Sequence, residues 1–168
     1  AVDTVGGEGE EFPYFPEFWI VKPAPDARTL RFFPLLDSPR VSGAYQFDVT
    51  PGDETIVEVR TRLFLRAPIG TLGIAPLRSM YQFGENQPHR VDFRPEVHDS
   101  DGLMVATGSG EWLWRPLTNP RVLPFNAFQD DSPRGFGLMQ RDRDFANYQD
   151  DGVFYDRRPS LWVEPRAG

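Results

Sequence analysis

TIVEVRTRLFLR, Thr55–Arg66, is the stretch that decides the fold. Val57, Val59, Thr61, Leu63 and Leu65 alternate with Glu58, Arg60 and Arg62. A period of two is the signature of an extended strand with one apolar and one polar face. Upstream, VSGAYQFDV (Val41–Val49) alternates more weakly, and the intervening TPGDE supplies turn residues, so the two segments read as an antiparallel hairpin. Working outward, further short strands are expected at Leu72–Ile74, Met80–Phe83, Trp112–Trp114, Val122–Phe128, Gly137–Gln140 and Leu161–Val163. With 17 Pro and 15 Gly spread along 168 residues, almost no window is long enough for a good helix. The exception lies within Asp142–Tyr155, where Phe145 and Tyr148 at i, i+3 allow a single helical turn. The expected class is all-β, with sandwich or barrel architecture.

Composition narrows the chemistry. One domain's worth of chain carries 39% hydrophobic and 14% aromatic residues, enough for a core and for flat binding surfaces. There is no cysteine, which removes disulfides, zinc–thiolate and Fe–S ligation, and thiol nucleophiles together. A net charge of -7 disfavours nucleic-acid backbones and anionic lipid. Lys22 is the single lysine among 18 basic residues, and guanidinium suits fixed, bidentate ion pairs. No apolar run approaches the ~20 residues of a transmembrane span, so no membrane insertion is expected. The opening residues 1–10, acidic and Gly-rich, read as a flexible terminus. The chain closes on VEPRAG directly after the strand-like LWVEP, which reads as a piece of a longer protein.

The motifs of serine hydrolases, P-loops, zincins and dinucleotide binding are missing, and no cofactor is expected. His89 and His98, near Asp99 and Asp101, match no common metal-ligand spacing, so a hydrogen-bonded structural His98 is the plainer reading and no metal is expected. FRPEVHDSDGL (Phe93–Leu103) gathers Glu96, Asp99 and Asp101 around that histidine. Crowded carboxylates raise one another's pKa and so can serve as general acid or base, although the same residues also cap turns. GEWLWRPL (Gly110–Leu117) puts Trp112 and Trp114 on one strand face, either as a platform for a sugar ring or as core. In Gly135–Pro165, the alternation Arg141, Asp142, Arg143, Asp144 reads as paired guanidinium and carboxylate groups. These hold loops, and they can also grip a neutral polyhydroxylated ligand.

Taken together, EFWI (Glu17–Ile20), LLDSPRVSGAYQF (Leu35–Phe47), GIAPLRSMYQFGEN (Gly73–Asn86), FRPEVHDSDGL, GEWLWRPLTNP (Gly110–Pro120), RGFGLMQRDRDF (Arg134–Phe145) and YDRRPSLWVEP (Tyr155–Pro165) resemble the periplasmic glucan biosynthesis proteins of the OpgG/OpgD (MdoG/MdoD) family. The resemblance covers nearly all of Glu11–Pro165. It implies a galactose-mutarotase-like β-sandwich (supersandwich), of which residues 11–168 would be an incomplete, central and C-terminal part. It also implies periplasmic residence, a role in osmoregulated glucan synthesis and a β-1,2-glucan ligand. Some family members are inverting β-1,2-glucanases, and such enzymes set an acid and a base ~6.5–9.5 Å apart.

By this resemblance Asp99 is the general base, positioned and tuned by Asp101, His98 and Glu96. Trp112, Trp114, Tyr81 and Tyr148 are ring-stacking candidates, and Arg94, Arg141 and Asp150 are candidates for hydroxyl contacts. The acid is expected in a later segment, so this chain would hold a base without its acid. The alternative is a non-catalytic carbohydrate-binding scaffold that presents nascent glucan to membrane synthesis proteins or to modifying enzymes. In that role Asp99 would be dispensable.

Overall fold

The structure is a computed structural model and describes residues 1–4, 9–89 and 91–166. It is all-β apart from two single turns of helix, and it divides into two compact units, Ala1–Pro76 and Leu77–Gly168.

The first unit is one antiparallel sheet in the order β1 (Tyr14–Ile20), β2 (Leu30–Asp37), β3 (Val41–Thr50), β4 (Ile56–Leu65). The expected hairpin is present, with an unbroken register from Val41↔Leu65 to Thr50↔Ile56. β1 and β2 escape a pattern-based reading because each carries a proline. Pro16 falls where the β1–β2 register shifts, between Tyr14 and Glu17, on an edge strand that tolerates a missing N–H. Pro34 sits where the β2–β3 ladder skips from Phe32↔Phe47 to Leu35↔Ala44. The apolar face expected of β4 is not buried: Val57, Val59 and Leu65 remain exposed, and only Leu63 joins the core. β4 is an edge strand, with β3 as its one neighbour.

The core of this unit is Val2, Leu36 and Val41, with Phe15, Tyr45, Leu63, Ile69 and Leu72 packed against it. Residues 1–4 therefore depart from the expected flexible terminus. Val2 is fully buried and exchanges two backbone hydrogen bonds with Glu11. The Asp3 carboxylate accepts from the Gly70 and Thr71 amides and pairs with Arg40 at 2.6 Å. Residues 5–8 lie outside the described residues. Leu72 makes an isolated bridge to Val2 rather than a strand over 72–74.

The second unit holds a two-stranded ribbon, β5 (Tyr81–Phe83) with β6 (Val97–His98), and a four-stranded antiparallel sheet. In order across that sheet run β10 (Leu161–Val163), β9 (Gly135–Met139), β7 (Gly102–Ala106) and β8 (Trp112–Pro116). Its core cluster is Phe83, Val97, Tyr148 and Tyr155. The single helical turn α1 (Phe145–Tyr148) forms where expected. The Asp144 side chain accepts from the Ala146 amide as N-cap, and Gln149 closes the turn in the left-handed conformation. Residues 122–128 form no strand. Val122 and Leu123 are among the most exposed apolar residues, because Pro120 and Pro124 withhold the donors a ladder needs.

Glycines let β9 and β10 close. A Cβ on Gly137 would overlap the Leu161 carbonyl oxygen and stand 2.9 Å from the Trp162 ring. Gly137→Ala is expected to cost about 2 kcal/mol by overpacking, read as a lowered urea midpoint. An unchanged midpoint would mean that the strands separate at no cost.

Candidate functional site

One end of the second unit's sheet gathers the acidic word HDSDG. β7 begins at Gly102, opposite Pro116 at the end of β8 and Met139 at the end of β9. Asp101 fastens these three ends. Its amide donates to the Met139 carbonyl (2.8 Å), its carbonyl accepts from the Leu117 amide (2.8 Å), and its Oδ2 accepts from the Arg141 amide (2.6 Å). Ser100 is buried against Ser79, with hydroxyls 2.5 Å apart, and the Asp99 amide donates to the Met80 carbonyl at 2.8 Å. The tripeptide 99–101 is thus held by its backbone on both sides.

Behind it, His98 and Glu96 are buried together, with His98 Nε2 2.7 Å from Glu96 Oε2 and 3.7 Å from Asp101 Oδ1. Tyr81 stacks on the imidazole (centroids 5.3 Å, 15°) and Tyr148 meets it edge-on at 5.3 Å. His98 Nδ1 is buried with no hydrogen-bond partner among the described residues. Burial pushes the Glu96 carboxyl above its ordinary value against the pull of His98, and the Glu85 and Asp142 carboxylates add to the rise. Burial first, then the surrounding carboxylates, raises the Tyr81 and Tyr148 phenols. Among the described residues, those that could take a cation are Glu96, His98 and Asp101, or Glu85, Glu96 and Asp142, whose ligand atoms lie within 4.8 Å of one another in each set. In the structure one Glu96 oxygen is committed to His98 instead.

A raised Glu96 makes stability depend on pH. Between the ordinary value of 4.5 and the higher folded value, the folded chain holds a proton that the unfolded chain has released. Stability from this group is therefore complete below 4.5 and falls as pH rises through the folded value. Urea midpoints measured from pH ~4 to ~7 are expected to decline more steeply in the wild type than in Glu96→Gln. Parallel profiles would show that Glu96 titrates normally.

The other sequence candidates separate clearly. Asp99 is half-exposed, its side chain retaining 37% of its accessibility, with Oδ1 3.2 Å from Arg158 Nε. That contact lacks hydrogen-bond alignment, since Arg158 Nε finds no hydrogen-bond partner among the described residues. Tyr148, expected to stack on sugar, is fully buried; its hydroxyl donates to the Asp142 carbonyl at 3.2 Å, and it offers no ring face to a ligand. Tyr81 has His98 against one face, and its hydroxyl donates to Asn86 Oδ1.

Arg94 is occupied by Asp92 (2.6 Å) and Asp150 (2.7 Å). Asp150 also accepts from the Gly152 and Val153 amides, so both residues tie loops together. Arg94 holds the Asp92 carboxyl down at about 2. The expected guanidinium–carboxylate ladder over 141–144 is replaced by bonds to backbone. Arg143 donates to the Arg158 and Gln140 carbonyls, while Asp142 and Asp144 accept from the amides of Asp144 and Ala146. Arg141 lies over the Trp114 ring, 5.3 Å from its centroid.

Trp112 is 65% exposed and stacks on Trp162, with centroids 5.6 Å apart and planes at 23°. Trp162 is not among the candidates that the sequence motifs single out. A signal for it exists in GFG, Gly135–Gly137, because two glycines on one face of a strand mark a place where a bulky neighbour approaches closely.

No helix is long and apolar enough to cross a membrane among the described residues. The family described as "Periplasmic glucan biosynthesis protein, MdoG" matches residues 1–168. Glucans biosynthesis protein D 1 of Ralstonia nicotianae is 55% identical over all of this chain and 34% of its own length. Glucans biosynthesis protein G of Pseudomonas syringae pv. tomato is 55% identical over 99% of this chain and 26% of its own. Glucans biosynthesis protein D of Stenotrophomonas maltophilia is 55% identical over 99% of this chain and 32% of its own. The chain thus spans about a quarter to a third of the length of these relatives. With a match across its whole length, the chain belongs to the periplasmic glucan biosynthesis protein family.

Proposed function

We propose that the chain is part of a glucan-binding β-sandwich of a periplasmic protein of osmoregulated glucan biosynthesis, and that Asp99 is the general base of an inverting β-1,2-glucan hydrolysis in the whole protein. The observation that carries this reading is the division of labour within one loop. Glu96 is buried against His98 and Asp101 is spent on the strand ends, whereas Asp99 is half-exposed and, among the described residues, faces Arg158. In the reaction the Asp99 carboxylate takes a proton from water as the water oxygen attacks the anomeric carbon. The glycosidic bond breaks on the opposite side, and its oxygen leaves with a proton from a general acid supplied elsewhere in the whole protein. Asp101 and the Glu96–His98 pair hold the loop, Trp112 offers an exposed ring to glucose, and Trp114 lies beneath Arg141. Tyr81 and Arg94 play supporting parts, as packing for His98 and as a staple to Asp92 and Asp150.

The second reading, a scaffold that presents glucan without cleaving it, is favoured by the same Arg158, because an ion-paired carboxylate must leave its partner before it can accept a proton. The two readings part on the products formed when the protein, at the full length of its relatives, is incubated with linear β-1,2-glucooligosaccharides. Shortened products with inverted anomeric configuration support the hydrolase. Binding without shortening assigns the scaffold, and absence of both rejects the glucan reading.

A further inference from the structure

Phe154 stands in the left-handed region, with φ 53° and ψ 58°, as the residue before the single helical turn Tyr155–Arg157. A bulky side chain there crowds the backbone, so such positions ordinarily fall to Gly or Asn. Gly152 is two residues away, yet it does not take the left-handed step. The ring does not explain the choice. It is 40% exposed and meets the Arg157 guanidinium at 4.8 Å, a surface contact too weak to hold a residue where L side chains avoid going. Both ends of the segment are fixed instead. Upstream, Asp150 Oδ1 accepts from the Gly152 and Val153 amides, and Arg94 donates to its Oδ2. Downstream, the Tyr155 ring is buried, its carbonyl accepts from Gln140 Nε2 at 2.9 Å, and the Arg158 carbonyl accepts from Arg143 at 2.7 Å. Between these anchors the left-handed step is made at one residue, and the chain leaves it with Arg158 Nε 3.2 Å from Asp99 Oδ1.

A residue held in a sparsely populated backbone region persists only where its surroundings over-determine it, and such residues gather at sites whose geometry is demanding. We propose that Phe154 is a positioning residue of the Asp99 site, and that its left-handed backbone, rather than its ring, aims the 155–158 turn so that Arg158 meets Asp99. The inference rests on the reading of Asp99 as general base and deepens it. A move of Phe154 out of the left-handed region swings everything that follows, so either the Tyr155 ring leaves its pocket or Arg158 leaves Asp99. Tyr155 is packed with Phe83, Val97 and Tyr148 in the core of its unit. Arg158 is half-exposed, and its Nε has no hydrogen-bond partner among the described residues. Arg158 is therefore the group that gives way.

The test is cleavage of linear β-1,2-linked glucose oligomers across pH by the protein at the full length of its relatives. Phe154→Val, whose branched Cβ is poorly compatible with a positive φ, is expected to reproduce the kcat and the pH–rate profile of Arg158→Ala to within about twofold. Adding it to Arg158→Ala should change neither further, since a residue that acts only through Arg158 adds nothing once that partner is gone. Phe154→Gly and Phe154→Asn, which discard the ring and accept the left-handed turn, should keep the wild-type profile and KM. Should Phe154→Val not fold, Asp150→Ala, which frees the entry to the turn, takes its place with the same expected shift. A wild-type profile in that disruptive variant overturns the inference, as does an Arg158→Ala profile that matches wild type. Loss of affinity in Phe154→Gly and Phe154→Asn overturns it too, because the ring then meets the ligand. In each of those cases a dead Asp99→Asn leaves the general-base reading standing. A wild type that does not cleave, or an Asp99→Asn that does, overturns that reading and the inference with it.

Discussion

Asp99→Asn, made in the protein at the full length of its relatives, is expected to lower the rate of β-1,2-glucan cleavage by about 10²–10⁴-fold, the usual contribution of a positioned general base. Binding of the same oligomer and the thermal midpoint should change little. Asn keeps the shape of the side chain and forfeits only the site that accepts a proton. The Asp99 amide, which anchors the loop to Met80, is untouched. The side chain is half-exposed, so no buried partner is orphaned except the loose contact with Arg158. Arg158→Ala is the companion variant. If the ion pair restrains the base, its loss shifts the pH–rate profile, whereas loss of a purely structural arginine lowers the melting temperature with the profile in place. Retained cleavage in Asp99→Asn would remove Asp99 from the chemistry and leave the scaffold reading.

Tyr148→Ala is expected to cost about 4 kcal/mol, the scale for removing a large buried ring from a core. Tyr148 is the largest fully buried side chain among the described residues and packs with Tyr155 and against His98. Tyr148→Phe retains the ring and gives up one hydrogen bond to the Asp142 carbonyl, a loss of about 1 kcal/mol. Chemical denaturation with both variants distinguishes core from platform. If the ring instead met substrate, Tyr148→Ala would unfold at nearly the wild-type denaturant concentration and lose affinity.

The legible parts of the fold are those where local pattern and partner agree. Val41–Leu65 can be read because alternation, a polar turn and an adjacent complementary strand coincide in one hairpin. β1 and β2 are hidden by Pro16 and Pro34, which local reasoning counts as breakers and which the sheet accommodates at a register shift and a skipped ladder step. β7 (Gly102–Ala106) is hidden by its shortness and its opening glycine, yet it is an inner strand of its sheet. The opposite error, a strand over 122–128, comes from apolar residues that find no ladder partner.

The site divides the same way. HDSDG reads equally as a capped turn or a cluster of reactive carboxylates, and its letters do not say which carboxylate is exposed. Glu96, Asp99 and Asp101 are equivalent as letters, and only the backbone amide of Arg141 and the imidazole of His98 sort them. Tyr148 resembles a ligand contact only while a one-turn helix is taken to lie at the surface, whereas burial of its ring is part of what holds that turn in place.

Asp101 splices β7, β8 and β9 through its amide, its carbonyl and its carboxylate, two positions from the residue proposed to activate water. A genetic screen that scores glucan product alone would rank substitutions at the two aspartates side by side, one for lost reactivity and the other for a frayed sheet. Pairing each such score with the yield of protease-resistant protein would keep scaffold defects out of the list of reactive groups.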